Sequence, residues 1–229
     1  MRSELASLAW LAVTLGGYYL LKPLYRKRPR WWTSPLFTVP VLLIALGLLF
    51  GMNYPVYIRD THWLVLMLGP ATVAFALPIW RYRRLIRQHW AALLAGVLGG
   101  STVAMSSAWG LATLFGLSGS LRLSLVPRSI TTPLAMLVSA DIGGVPDLTA
   151  LFVVITGVAG IALGELLLKY LPLRSALARG ALFGVGAHGA GTAKAWDVGA
   201  EEGTIASLAM VLAGLLNVLA APGVAWLLR

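Results

Sequence analysis

The sequence predicts an all-α polytopic membrane protein, and three observations carry that expectation: its composition, the length of its apolar runs and the placement of its charges. Apolar residues make up 59% of the 229-residue chain and charged residues 11%, against about 45–50% and about 25% in soluble domains. Several apolar runs, 148–168 and 204–228 among them, reach the roughly 20 residues that a helix needs to cross about 30 Å of hydrocarbon. Runs of this length do not suit barrel strands, so helices must satisfy the backbone internally. The formal charge of +10 is split among short clusters between apolar runs. That distribution argues against a nucleic-acid partner and for topology signals facing a lipid bilayer. Cysteine is absent, which excludes disulfides, thiolate catalysis and cysteine-ligated metal.

Taken in order, the first span is 5–21, followed by Lys22, Arg26, Lys27, Arg28 and Arg30. A cleaved signal peptide carries its positive charge ahead of the apolar region, so this segment reads as a retained helix. Further spans are expected at 35–52, 62–80, 91–116, 148–168, 178–196 and 204–228. The stretch 119–146 is broken by Pro127, Pro133, Gly143, Gly144 and Pro146, and is either an eighth span or a hairpin that enters and leaves on one side. If it is re-entrant, the basic loops 22–30, 81–87 and 169–179 all lie on the cytoplasmic side, as the positive-inside rule asks. A full crossing would move the last of them outside and bring Asp197, Glu201 and Glu202 inside. The expectation is therefore seven spans plus a re-entrant segment, with the N-terminus outside and the C-terminus cytoplasmic, in a single transmembrane domain over 1–229.

Short internal matches suggest a repeat within that domain. Gly69-Pro70-Ala71-Thr72-Val73-Ala74 stands beside Gly189-Ala190-Gly191-Thr192-Ala193-Lys194, and Thr33-Ser34-Pro35-Leu36 beside Thr131-Thr132-Pro133-Leu134. They describe a leading helix and basic loop, 1–30, followed by two three-span units of opposite orientation, 31–118 and 119–229. Transporters use such inverted repeats to place a site at the bilayer midplane. Gly69-Pro70 and the run 184–191 then become points where helices break, and broken helices direct bare N–H groups and positive dipole ends at an anion. The alternative is that these glycines simply allow close helix packing.

The candidate site residues follow from those breaks. Ser129, Thr131 and Thr132 surround the helix-breaking Pro133 and suit a small oxygen-rich anion, and Arg128 beside them offers a carboxylate-binding fork. Alternatively, the hydroxyls bond only their own backbone. His188 lies near the middle of its expected span, where it either meets a substrate carboxylate or proton or bonds a neighbouring carbonyl as a neutral ring. Gly189, Gly191 and Thr192 accompany it. Lys194 either snorkels to water or reaches back to the cavity. Thr72, Ser207 and Asn217 are further polar candidates. Glu165 and Lys169, one helical turn apart, are expected to neutralise each other. No nucleophile–base pair, metal-ligand spacing or phosphate loop is evident, so neither catalysis nor a cofactor is expected.

The run Pro127-Arg128-Ser129-Ile130-Thr131-Thr132-Pro133-Leu134-Ala135-Met136 resembles the LrgB/CidB family, as do Ile142-Gly143-Gly144-Val145-Pro146 and Ala187 to Ala195. The same is true of Glu202-Gly203 and Ser207-Leu208-Ala209-Met210-Val211, and more weakly of Leu68 to Ala74, while Thr33-Ser34-Pro35 departs from the family's usual Asn-Pro. The resemblance implies a bacterial inner-membrane protein with a smaller LrgA/CidA-like membrane partner; it leaves a homo-oligomer open. Two functions travel with it. One is antiholin-like control of murein hydrolase export and lysis. The other is transport of small monocarboxylates: pyruvate in bacteria, and glycolate and glycerate by the plastid translocator whose C-terminal part is similar. The broken helices favour the carrier, with an anion channel using the same site as a third possibility.

Overall fold

Helix is the only regular structure among the described residues of the computed structural model, which are 2–27, 31–51, 54–74 and 76–227. The chain divides into two compact units, Met1–Val73 and Ala74–Arg229. In the first unit, α1 (Arg2–Lys27) packs on α2 (Pro35–Leu49) and α3 (Tyr54–Leu66). Pro35 opens α2 at a position where a missing N–H costs nothing, and Trp10 meets Tyr57 edge-on with centroids 5.2 Å apart. A short α4 (Leu68–Ala74) follows. The span expected at 62–80 is thus divided, because Gly69-Pro70 falls in the first turn of a new helix.

The second unit opens with α5 (Ala76–Arg81) and the 32-residue α6 (Arg83–Leu114), bent where His89 leaves helical geometry. It continues through α7 (Gly119–Leu125), α8 (Thr132–Ile142), α9 (Pro146–Tyr170), α10 (Ala176–Gly186), α11 (His188–Val198) and α12 (Ala200–Leu227). Of these, α6, α9 and α12 are long and apolar enough to cross a membrane.

Between α7 and α8 the chain runs through turns at 126–131 and then reverses. Pro133 fixes the start of α8. Gly143 ends the helix with φ +89°, a left-handed conformation that glycine adopts without Cβ strain. The return brings both arms to one end of α9. Ser124 Oγ accepts the Val145 N–H at 2.7 Å, Thr149 Oγ1 lies 2.9 Å from the Ser124 carbonyl, and the Thr149 and Ser139 hydroxyls are 2.7 Å apart. Since Ser124 is on α7 and Ser139 on α8, these arms form a hairpin, and its base is a buried hydroxyl cluster.

A second hairpin follows, where the sequence suggested one straight span over 178–196. The arm α10 runs antiparallel to α9: a methyl built on Gly164 would touch the Phe183 ring, on Gly160 the Ala187 side chain, and on Gly157 the His188 ring. At His188 the backbone takes φ +41°, the one positive value at a non-glycine among the described residues, and α11 folds back. Gly191 then lies on the Phe183 carbonyl and on Ala187, and Trp196 covers Gly203. Two ion pairs close the base: Arg179 with Glu202 at 3.0 Å and Lys194 with Glu165 at 2.7 Å. The Glu165–Lys169 pair expected from helical spacing is therefore replaced. The hairpin brings a cation from another helix closer, and Lys169 lies 5.6 Å from the Tyr170 ring centre instead.

Along α12 the direction is opposite to that along α9, since Gly180 meets Ile205 and Gly184 meets Ala206 in parallel register. The first hairpin supplies Val126, Ile130, Leu134, Ala135, Val138 and Ile142 to a core shared with Val97 of α6, Val153 of α9 and Ala213 and Ala221 of α12.

Candidate functional site

Both hairpin tips reach the middle of a long helix. Arg128 Nη1 bonds Thr156 Oγ1 at 3.3 Å, and Thr156 is ten residues into α9, or about 15 Å at about 1.5 Å per residue. That is half of a hydrocarbon core of about 30 Å. His188 Nε2 lies 3.0 Å from the Val153 carbonyl, one turn from Thr156. On α12, Leu134 of the first hairpin packs on Gly214, and a methyl built on Gly189 of the second would stand 3.9 Å from Met210 Sδ. Positions 210 and 214 are separated by about 6 Å along a helix. The breaks read from the sequence, at Pro127 and Pro133 and in the run 184–191, therefore come together within the second unit.

Their side chains fall into two sets. Thr131 is buried and occupies the N-cap of α8, yet its hydroxyl makes no capping bond. Ser129 and Thr132 are half-buried, and among the described residues neither hydroxyl bonds another protein group. A threonine at an N-cap ordinarily accepts an N–H, so three hydroxyls here keep their bonding capacity. By contrast, Thr192 Oγ1 donates to the His188 carbonyl at 2.9 Å and Ser207 Oγ to the Gly203 carbonyl at 2.8 Å, each within its own helix. Lys194 is held by Glu165, and Gly191 serves the hairpin contact. Thr72 belongs to the other unit, and its side chain lies outside the described residues.

A carbonyl only accepts, so the contact with Val153 puts the hydrogen of a neutral His188 ring on Nε2 and leaves Nδ1 as an acceptor. The bond to a carbonyl, which belongs to one of the two alternatives at this position, is present at the point where the second hairpin reverses.

Ser101 and Thr156 were not legible as site residues, because isolated hydroxyls are ordinary in apolar helices and bond their own backbone. Ser101 on α6 accepts from Asn217 Nδ2 of α12 at 2.9 Å. Both line a cavity of about 10 Å³ together with Pro127, Ser129 and Val185. The two hairpins and α6 thus share one small pocket, mostly apolar, with Ser101, Ser129 and Asn217 as its polar side chains. A larger groove of about 560 Å³ runs from it between α6 and α12, past Thr102, Ser106 and Trp109.

A family model for LrgB-like proteins matches residues 14–227. The chain is 41% identical to the uncharacterized Bacillus subtilis protein YwbG over 93% of its own length and 94% of that protein's. It is 35% identical to YxaC of the same organism over 99% of each chain. It is also 30% identical to the holin-like protein CidB of Staphylococcus aureus over 95% of each. No solved structure matches it.

Proposed function

The chain belongs to the LrgB-like family, and from that premise we propose that it is a secondary carrier of small monocarboxylates of the pyruvate, glycolate and glycerate class in a bacterial inner membrane. One observation carries this reading: two hairpin tips meet halfway along α9 and α12 and present unbonded hydroxyls at Ser129, Thr131 and Thr132. The first turns of α8 and α11 add N–H groups and positive dipole ends. A carboxylate leaving water needs a countercharge or dense donors, and Arg128 keeps guanidinium donors beyond the one spent on Thr156. His188 Nδ1 is where a co-transported proton would bind.

The same function gives the second unit its symmetry. The segments 119–170 and 175–226 become two hairpin-plus-helix repeats of opposite direction, offset by 56 residues. In support, Ser124 meets Thr149 and Gly180 meets Ile205, each 25 positions along, and Gly143 corresponds to Gly199. This arrangement takes the place of the three-span repeats expected from sequence matches. The first hairpin then opens on the face where α6 ends and the second on the face where α9 ends. Loops 81–87 and 169–179 fall together on the cytoplasmic side, and the C-terminus leaves on the other, opposite to the sequence expectation. Rocking of the hairpins against the long helices would give alternating access.

The test is uptake of labelled pyruvate, glycolate and glycerate into proteoliposomes. Saturable uptake that falls at least tenfold in Arg128→Ala and Thr132→Ala is expected; no saturable uptake, or uptake indifferent to both changes, overturns the carrier.

A second reading rests on the holin-like description of the Staphylococcus aureus relative: an antiholin-like regulator of murein hydrolase export, acting with a small LrgA/CidA-like membrane protein. It predicts that expression changes autolysis and dye leakage only with that partner present, and that Arg128→Ala and Thr132→Ala behave as the unsubstituted protein.

A further inference from the structure

Asn217 is 2% exposed and sits in the middle of α12, where a side-chain amide must be accounted for atom by atom. Its Nδ2 donates to the Ala213 carbonyl at 2.7 Å and to Ser101 Oγ at 2.9 Å. The Ala213 carbonyl can only accept, which pins the amide: nitrogen faces Ala213, and the group cannot flip. Both hydrogens of Nδ2 are then used, and Oδ1 is left with no donor among the described residues. Oδ1 is not sealed away either, since the sealed side-chain atoms without a partner among the described residues are Arg122 Nε and Arg179 Nε. It therefore faces open space that Asn217 lines, which is this cavity and the groove between α6 and α12 that runs from it. Ser101 is in the complementary state. Its oxygen accepts from Asn217 and its own O–H remains to be donated, beside the same openings.

The cavity thus offers an acceptor at Asn217, a donor at Ser101 and the free hydroxyl of Ser129 from the hairpin tip. Its volume of about 10 Å³ holds about one water-sized group. Ser129 and Ile130 of the hairpin tip line it, next in sequence to Thr131 and Thr132, so an oxygen bound here would share the tip with an anion held there.

We infer that Ser101 and Asn217 form a single-oxygen subsite that reads the 2-position of a carboxylate held at the hairpin tips and selects a 2-hydroxy acid over the matching 2-oxo acid. The subsite rests on the carrier function proposed above. A substrate hydroxyl donates to Asn217 Oδ1 and accepts from Ser101, so both protein groups are satisfied. A keto oxygen accepts from Ser101 but leaves Oδ1 facing another lone pair, with a buried acceptor unmet. A site built to bond a hydroxyl rejects the analogue lacking it for this reason. Loss of one buried partner corresponds to a preference of about tenfold or more.

Competition in proteoliposomes of the full chain tests this, with lactate against pyruvate and 2-hydroxybutyrate against 2-oxobutyrate as pairs that differ only at the 2-position. The unsubstituted protein is expected to favour the hydroxy acid of each pair by about tenfold. Ser101→Ala and Asn217→Ala should bring that ratio towards one chiefly by weakening the hydroxy acid. Ligand-induced thermal shifts of purified Ser101→Ala, the milder change, supply the same ratio if Asn217→Ala does not fold. Saturable uptake with equal preference, or variants that weaken both acids equally, would overturn the subsite and leave the carrier standing. Absence of uptake of every acid would overturn the carrier and the subsite together.

Discussion

Substituting alanine at Gly191 separates the hairpin from a straight helix, because the two arrangements give the change opposite signs. In a continuous helix, residues 183 and 191 lie about 12 Å apart, and glycine to alanine inside a helix gains about 1 kcal/mol. In the folded hairpin, a methyl on Gly191 meets the Phe183 carbonyl oxygen, with the Ala187 Cβ at 2.7 Å and the Phe183 carbonyl carbon at 2.9 Å. The clash is with backbone of the opposing arm, which cannot rotate away as a side chain would. Overpacking costs about 1–3 kcal/mol, and a rigid neighbour places this site at the upper end. After the helix-propensity gain, a net loss of about 2 kcal/mol remains, or about 4–8 °C in melting temperature at about 2–4 °C per kcal/mol. Gly189→Ala is the internal control. It lies two residues away in the same helix, and its methyl would make only an ordinary contact at 3.9 Å with Met210 Sδ. Thermal unfolding in detergent should show Gly191→Ala destabilised and Gly189→Ala unchanged or slightly more stable. Equal melting temperatures for the two would refute the fold-back at His188.

At the base of the first hairpin, Ser124→Ala removes the acceptor of the Val145 N–H and should cost about 0.5–1.5 kcal/mol, read by the same melting assay; no loss would mean the hydroxyl cluster does not hold the hairpin. Lys194→Glu places like charges at the Glu165 contact, and adding Glu165→Lys should recover most of the lost stability, because reversing a pair keeps the attraction; a double variant no better than the single one would rule out the pairing in the membrane. The chain has no cysteine, so single cysteines report topology directly. Ser118→Cys and Val145→Cys should react with an impermeant maleimide from one face of intact cells, and Arg174→Cys and Ala200→Cys from the other. Labelling of positions 118 and 145 from opposite faces would mean that 119–142 crosses the membrane.

Much of the architecture is legible because proline and glycine act locally. Pro127, Pro133 and Gly143 mark the first hairpin, since each removes a donor or permits a backbone angle that other residues avoid. The break in the run 184–191 is legible for the same reason, but the reversal is not. It is made at His188, a residue whose positive φ no composition signals, and it is held by contacts with α9 that are distant in sequence. A repeat is harder to read. Similar words such as Gly-Pro-Ala-Thr and Gly-Ala-Gly-Thr draw attention to 69–74 and 189–194, whereas the repeat proposed above pairs Ser124 with Gly180 and Thr149 with Ile205. The first hairpin closes its base with hydroxyls and the second with apolar packing and ion pairs, so a common geometry would leave almost no common residues. Helical spacing paired Glu165 with Lys169 for a similar reason: local rules compare neighbours on one helix, and the hairpin brought Lys194 from another.

The sequence posed close packing and broken helices as competing explanations of the glycines, and the geometry makes the first a condition of the second. A hairpin that stops halfway through hydrocarbon leaves backbone groups at its tip unbonded, which is tolerable only against protein or a polar cavity. Its arms must therefore lie tightly on a full-length helix down to the tip. Gly157, Gly160 and Gly164 give α9 a face without side chains along which α10 descends, with a built methyl 2.6 Å from Ala187 Cβ at Gly160. On α12 the order is reversed. There Gly180 and Gly184 belong to the hairpin arm and Gly214 to the long helix, where it receives Leu134. Small residues thus sit wherever an arm meets a long helix, and both tips arrive at mid-depth. Enlarging Gly160 or Gly214 would therefore disturb substrate recognition without touching the substrate. Gly214→Ala, which meets the far end of the flexible Leu134 side chain, should leave the protein folded while raising the KM for a carboxylate several-fold. A Gly214→Ala protein with unchanged KM would show that the position of α8 against α12 does not set the site.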